Sequence, residues 1–342
     1  MSQPQSRWQM PAEWAQQRRT YVAWPCRDAI WSLGVDAAKQ AFAEVIDAIS
    51  QFQPVTLLVR PQQLAEAQQR VPAHNVTLLP LALDDSWARD ILPLFVTHPE
   101  LGLGAVDFAF NAWGEKFNPY HNDAAAGQAL LQALAQQQPL QWQTEAMVFE
   151  GGAIHSNGQG TLLTTAECLL HPNRNPNLNQ AEIEQRLLTR LGGDKLLWLP
   201  KGLHGDVDTD GHVDNIATFT APGKLLSMHC DDRQHPNFER YQANAAYLSN
   251  QIDAHGQPLQ LTTIPQPQDV SLDGEPLALS YINYYLGNDV VVVPAFGQND
   301  HDQEAAQIIQ AQFPTREVVA IDAMPILAGG GGIHCITMQE PS

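Results

Sequence analysis

Four short segments carry side chains whose types and spacing could do chemistry. Asp84-Asp85-Ser86-Trp87-Ala88-Arg89-Asp90 gathers three carboxylates, a tryptophan and an arginine ahead of an apolar run, and Phe149-Glu150-Gly151-Gly152 ends another apolar run on a carboxylate and two glycines. Asp208-Thr209-Asp210-Gly211-His212-Val213-Asp214-Asn215 sets His212 and Asp214 two apart, which in an extended segment places both on one face. Cys335 follows Gly329-Gly330-Gly331-Gly332, where Gly331 and its neighbours allow backbone to approach a ligand closely. A thiolate with a histidine partner is a pattern for covalent catalysis. Acyl-transfer sites surround their substrate with donors for an oxyanion, whereas the side chains here are acceptors. Acceptors around a nucleophile suit a cationic planar electrophile such as a guanidinium, whose fork of N–H donors a carboxylate meets two bonds at a time. Asp90 and Asp214 are the expected clamps. A negative pocket raises a cysteine pKa, so the thiolate is expected to form with help from His212 or the bound cation.

These residues recur at a regular interval. Asp90 to Glu150 is 60 residues, Glu150 to His212 is 62, and His212 to Cys335 is 123, about twice the interval. The elements that must position them repeat with it. Strand 153–155, a turn at Asn157-Gly158, a return to Thr165, a helix over 179–191 and a strand over 195–199 make one unit. A second is read as strands 280–285 and 290–293, helix 302–313 and strand 317–321. A third runs through 216–219, 225–229, 238–248 and 259–264, and a fourth through 91–96, 105–110, 124–135 and 140–143. The N-terminal copy is less complete, with strand 21–24, helix 36–52 and strand 55–59. Five strand-strand-helix-strand units of roughly 60 residues predict a closed radial α/β architecture, one catalytic domain over residues 1–342, with an open α/β domain pair as the alternative. In a ring the polar groups converge at the centre.

Taken singly, Asp90 could cap a turn, His212 could be a satisfied semi-buried histidine, and Cys168 and Cys230 read as inert packing. A metal enzyme built on His212, Asp214 and Glu150 is a further alternative, although one histidine with carboxylates is a thin zinc set. Composition narrows the field. The 342 residues carry 18 Lys+Arg against 37 Asp+Glu, a net charge of −19, with no basic cluster to neutralise phosphates, so nucleic acid is not an expected partner. Charged residues are only 16% and hydrophobic ones 44%, which excludes disorder. No leader is apparent in residues 1–10 and no apolar run approaches a membrane span, so a cytoplasmic protein without membrane association is expected, with a homodimer open. Four cysteines without a CxxC pair make neither a disulfide framework nor a thiolate zinc site.

The motifs DDSWARD, FEGG, NRNP (Asn173 to Pro176), DTDGHVDN, SYINYY and GGGGIHCIT, in this order, together with Pro11-Ala12-Glu13-Trp14, resemble the agmatine deiminase family of guanidine-modifying enzymes, over nearly the whole chain. That resemblance implies the pentein fold, a five-bladed α/β propeller, and hydrolysis of agmatine to N-carbamoylputrescine and ammonia, on the route to putrescine and other polyamines, with neither metal nor organic cofactor. It implies Cys335 as nucleophile, His212 as general acid and base, Glu150 orienting His212, and Asp90 and Asp214 holding the guanidinium. Trp87 would stack on the planar group, and Asp208 would meet the distal amine. The chain departs from the family pattern at Ile91-Leu92, Val207 and Gly332. Deimination of free or peptidyl arginine, amidino transfer, and a non-enzymatic propeller that only binds are the competing readings.

Overall fold

The computed structural model describes residues 7–342; residues 1–6, part of the stretch read for a leader, lie outside them. Each expected unit is a small sheet of an antiparallel pair and a third strand parallel to the second, reached through a helix. Leu94–His98, Gly102–Ala109 and Gln141–Val148 form one, with helix His121–Ala135. His155–Ser156, Thr161–Thr165 and Lys195–Leu199 form the next, with helix Gln180–Leu191. Ala217–Ala221, Lys224–His229 and Gln260–Pro265 follow with helix Pro236–Ser249, then Tyr285–Leu286, Val290–Ala295 and Glu317–Asp322 with helix Asn299–Gln312.

The incomplete N-terminal unit is completed by the other end of the chain. Thr337–Pro341 runs antiparallel to Gln17–Ala23, with Val22 opposite Thr337, and Val55–Val59 and a further strand, Val76–Pro80, extend that sheet in parallel. Its helix is Val35–Ser50.

Local chemistry explains these elements. Helix Gln180–Leu191 starts on a capping box, in which Asn179 Oδ1 accepts from Glu182 N and Glu182 Oε2 accepts from Asn179 N. It buries Ile183, Leu187 and Leu191, each worth about 1.5–3 kcal/mol. It ends at Gly192, whose φ of +67° a side chain would strain. Central strands are buried on both faces, as Val290, Val291 and Val292 show, while third strands such as Gln260–Pro265 are largely exposed.

Some expected boundaries move. Residues 280–284 are irregular chain with a turn at 281–282 rather than strand, with Tyr281, Ile282 and Tyr284 buried by packing without a ladder partner. Ile91 ends a short helix, Ala88–Ile91, and Gly151–Ala153 is a 3₁₀ turn. Val213–Asn215 is also a 3₁₀ turn, so the extended geometry expected for His212 and Asp214 is not the one found.

The loops leading into the five sheets touch in cyclic order. Arg89 N donates to Cys335 O at 3.0 Å, Gly152 N to Asp90 Oδ1 at 2.8 Å, and His212 Nε2 lies 3.7 Å from Glu150 Oε2. Asn283 Nδ2 then donates to Asn215 Oδ1 at 3.0 Å and to Cys335 Sγ at 3.2 Å. This circuit passes once through each of the five sheets described above and returns to its start, closing a ring with the beginning of each first strand at its centre; a separate two-stranded hairpin, Ser271–Leu272 with Glu275–Pro276, stands outside it. Among the described residues no helix is long and apolar enough to cross a membrane.

Candidate active site

At this centre the expected residues meet. Asp90, on the short helix after Trp87, accepts from Gly152 N through Oδ1 and from Trp113 Nε1 through Oδ2 at 2.9 Å. Its Oδ2 also faces His212 Nδ1 at 3.9 Å. Asp214 Oδ2 accepts from His334 Nδ1 at 2.9 Å and stands 3.7 Å from Cys335 Sγ. Gly152 lets the groups approach: a β carbon there would lie 2.5 Å from His212 Nδ1, 2.9 Å from Asp214 Oδ2 and 3.0 Å from Asp90 Oδ1. Both ring nitrogens of His212, Oε2 of Glu150 and Oδ1 of Asp214 are buried without a hydrogen-bond partner. Orphaned buried polar atoms around one point are costly, and they mark where a ligand's donors and a reacting water would go.

The electrostatics follow from burial and proximity. Burial works against a charged His212, but Asp90, Cys168 and Glu150 outweigh it and hold the imidazolium well above its ordinary range. Glu150 and Asp214 are kept low despite burial, by Arg174 and His334 respectively. Asp90 is pushed up by burial, with Asp214 and Glu150 adding to the shift and His212 opposing it. Burial, then Asp214 and Asp90, push the Cys335 thiol far up, as the sequence predicts for a cysteine among carboxylates.

A pocket enclosing about 340 Å³ opens onto Cys335 and Asp90. Trp87 and Gly331 line it together: a β carbon on Gly331 would meet the Trp87 ring at 2.5 Å, so only glycine leaves that wall in place. Asp208 and Asp85 line it as well. Burial raises the Asp208 carboxyl to about 6, and Asp85 is pushed to about 7 although Arg27 Nε lies 3.0 Å from it. No lysine or arginine is among the lining residues. Of the two cations near the motifs, Arg89 turns toward Glu13 at 3.6 Å and Arg174 binds Glu150 and Asp210. Val207 is 73% exposed, so that departure from the family pattern falls outside the pocket wall, and Ile91 and Leu92 are core. Gly332 faces Asn283, whose Oδ1 a β carbon would meet at 2.3 Å.

Three neighbours of these side chains are not singled out by the sequence. Asn283 in SYINYY occupies the fifth loop, beside the thiol. Arg174 in NRNP anchors Glu150 from behind, its Nε donating at 2.6 Å. Cys168, read as inert packing, has its sulfur within 4.8 Å of ligand atoms of His212 and Glu150. Glu150, Cys168 and His212 form one group of metal-capable side chains and Glu13, His155 and His334 another. In each, an arginine already faces the carboxylate, and a divalent ion would sit against that guanidinium.

Known proteins agree with this geometry. The model of the Porphyromonas-type peptidyl-arginine deiminase family matches residues 9–341. A Legionella pneumophila protein named "Putative agmatine deiminase" is 44% identical over 333 residues, covering 97% of this chain and 94% of its own. The agmatine deiminase of Pseudomonas aeruginosa is 38% identical over 358 residues, covering 97% and 95%. A solved structure of the agmatine deiminase of Enterococcus faecalis superimposes with a TM-score of 0.92 at 33% identity, covering 98% of this chain and 96% of that one.

Proposed function

The chain belongs to the Porphyromonas-type peptidyl-arginine deiminase family, and from that premise we propose that it hydrolyses agmatine to N-carbamoylputrescine and ammonia. The carrying observation is the closed cluster of Cys335, His212 and three carboxylates, of which Cys335 and Asp90 line a pocket that has no cationic lining residue. Agmatine presents a guanidinium at one end and an amine at the other; both are cations, and Asp208 and Asp85 suit the amine. An α-carboxylate, as in free arginine, would find acidic walls and no partner.

The charges support thiolate formation on binding. With the thiol protonated, Glu13, Asp90, Glu150 and Asp214 are matched by Arg89, Arg174, His212 and His334. A guanidinium adds one positive charge, and loss of the Cys335 proton restores the balance. Asp90 and Asp214 hold the guanidinium nitrogens, Trp87 covers its face, and the Cys335 thiolate bonds to the guanidinium carbon. His212 protonates the departing nitrogen, which leaves as ammonia and breaks the C–N bond, giving an amidino-thioether. His212 then takes a proton from water, whose oxygen bonds to the same carbon. Collapse breaks the C–S bond as the added hydroxyl becomes the ureido carbonyl, its proton passing to the departing sulfur, which releases the ureido product and restores the Cys335 thiol. Glu150, backed by Arg174, keeps His212 positive for the first step. Because the site draws on all five sheets, residues 1–342 act as one catalytic unit.

The test is ammonia release from agmatine and arginine by the parent protein and Cys335→Ala. Agmatine turnover well above arginine turnover, abolished by the substitution, is expected. Turnover surviving in Cys335→Ala would sink the mechanism.

A further inference from the structure

Behind Asp214 runs a line of buried charges that the reaction above leaves without a role. His334 Nδ1 lies 2.9 Å from Asp214 Oδ2, and its Nε2 lies 2.8 Å from Glu13 Oε1. A neutral imidazole carries one N–H, so a ring with an acceptor-only carboxylate oxygen at each nitrogen is an imidazolium. Glu13 comes from the segment ahead of the first strand, 321 residues away in the chain. All three side chains are buried.

The other groups facing His334 are consistent with a single held charge. The His155 ring stacks on it at 5.4 Å and 19°, and burial pushes His155 down to about 4, leaving it neutral. Arg89 lies 3.6 Å from Glu13, and its Nε faces the His334 carbonyl at 3.4 Å. Cys335 follows directly, and its sulfur faces the same Asp214 oxygen that His334 holds.

We propose that His334, supported by Glu13, is a positioning residue that keeps Asp214 ionised and turns its free Oδ1 toward the guanidinium. Asp214 is crowded by the nucleophile's sulfur and sits with Asp90 about the same point. Burial alone would protonate it and turn an acceptor into a donor. One oxygen committed to His334 leaves the other, buried and unpartnered, as the Asp214 acceptor available to the substrate. The proposal rests on the guanidine-hydrolysing reading.

Its test is the pH profile of kcat/KM for agmatine in the full-length parent, Glu13→Gln and His334→Gln, with thermal melts at each pH. Loss of either group raises the Asp214 pKa, so the acid limb moves to higher pH by about one unit, and kcat/KM falls roughly tenfold more on the acid side than on the alkaline side. A loss equal at every pH, or an unshifted profile in the nearly isosteric Glu13→Gln, overturns the proposal even if melting temperatures fall. If His334→Gln does not melt cooperatively, Glu13→Gln decides. A parent that releases no ammonia from agmatine overturns the functional reading, and the positioning role with it.

Discussion

Arg174 Nε donates to Glu150 Oε1 at 2.6 Å while the same guanidinium reaches Asp210 Oδ2 at 2.5 Å and the Thr209 carbonyl at 3.0 Å. One fully buried side chain thus holds the carboxylate behind His212 and the segment that walls the pocket near Asp208. Arg174→Ala leaves buried Glu150 without its arginine, while Asp210 keeps Lys116 at 2.8 Å, and is expected to cost about 3–5 kcal/mol, read by chemical denaturation. Arg174→Lys keeps the charge but cannot reproduce the fork. It should fold and lose at least roughly tenfold in kcat, because Glu150 is then free to rotate from His212. Unchanged kcat in the lysine variant would contradict a positioning role.

Asn283 is the neutral member of the cluster. Its Nδ2 donates to Cys335 Sγ at 3.2 Å and its Oδ1 accepts from His334 N at 2.9 Å. Asn283→Ala removes a donor that favours the thiolate and is expected to lower kcat about 10- to 100-fold in steady-state assays. Asn283→Asp adds a negative charge beside the sulfur and should be worse at every pH above about 5. An aspartate variant as active as the parent would remove Asn283 from the chemistry.

Gly152 holds open the point shared by His212, Asp90 and Asp214. Gly152→Ala puts a methyl group 2.5 Å from His212 Nδ1, so one of these groups must move. The backbone conformation at Gly152 is one any residue tolerates, so the variant should fold; its kcat/KM for agmatine should fall by about 100-fold or more. A variant that is both stable and active would show that the three groups do not need this spacing.

The raised Cys335 pKa has a direct kinetic signature. In the free protein the thiol stays protonated through neutral pH, since burial, Asp214 and Asp90 all disfavour the thiolate. Alkylation of Cys335 by neutral iodoacetamide should therefore be slow near pH 7 and rise only on the alkaline side. A cationic haloacetamidine offsets the two carboxylates and should react faster at neutral pH, by about 100-fold or more. Equal rates for both reagents, followed by mass spectrometry, would refute thiol ionisation driven by the bound cation.

Much of this site was legible because titratable side chains recur every 60 residues or so, and the loop before each first strand is where they fall. Asn283 sits in such a loop but carries no charge, and its motif gives no chemical signal in a sequence. Glu13 and His334 are quoted within motifs, yet a pairing across 321 residues is a product of ring closure and not of local pattern. The same holds for Cys168, apolar by type and set beside His212 and Glu150 only by the fold. The strand expected over 280–285 is found only from Tyr285, because a continuous run of buried, aromatic-rich residues reads as a core strand while the hydrogen bonds of its first part go elsewhere: Ser280 Oγ to the Asn215 carbonyl, and Ile282 N back to Ser280 Oγ. The polar third strands blurred their own ends for the opposite reason, having few buried positions.

The strand after Cys335 is the one that seats against Gln17–Ala23. During synthesis Cys335 leaves the ribosome after every carboxylate that will surround it, and the strand that follows it in the chain is held in the fold by its pairing with Gln17–Ala23. The cluster of Cys335, His212, Asp90 and Asp214 is thus assembled from segments far apart in the chain, and its last member is carried in by a strand that needs the first one as its partner. On the proposed chemistry, turnover would therefore also report that Thr337–Pro341 has docked on Gln17–Ala23.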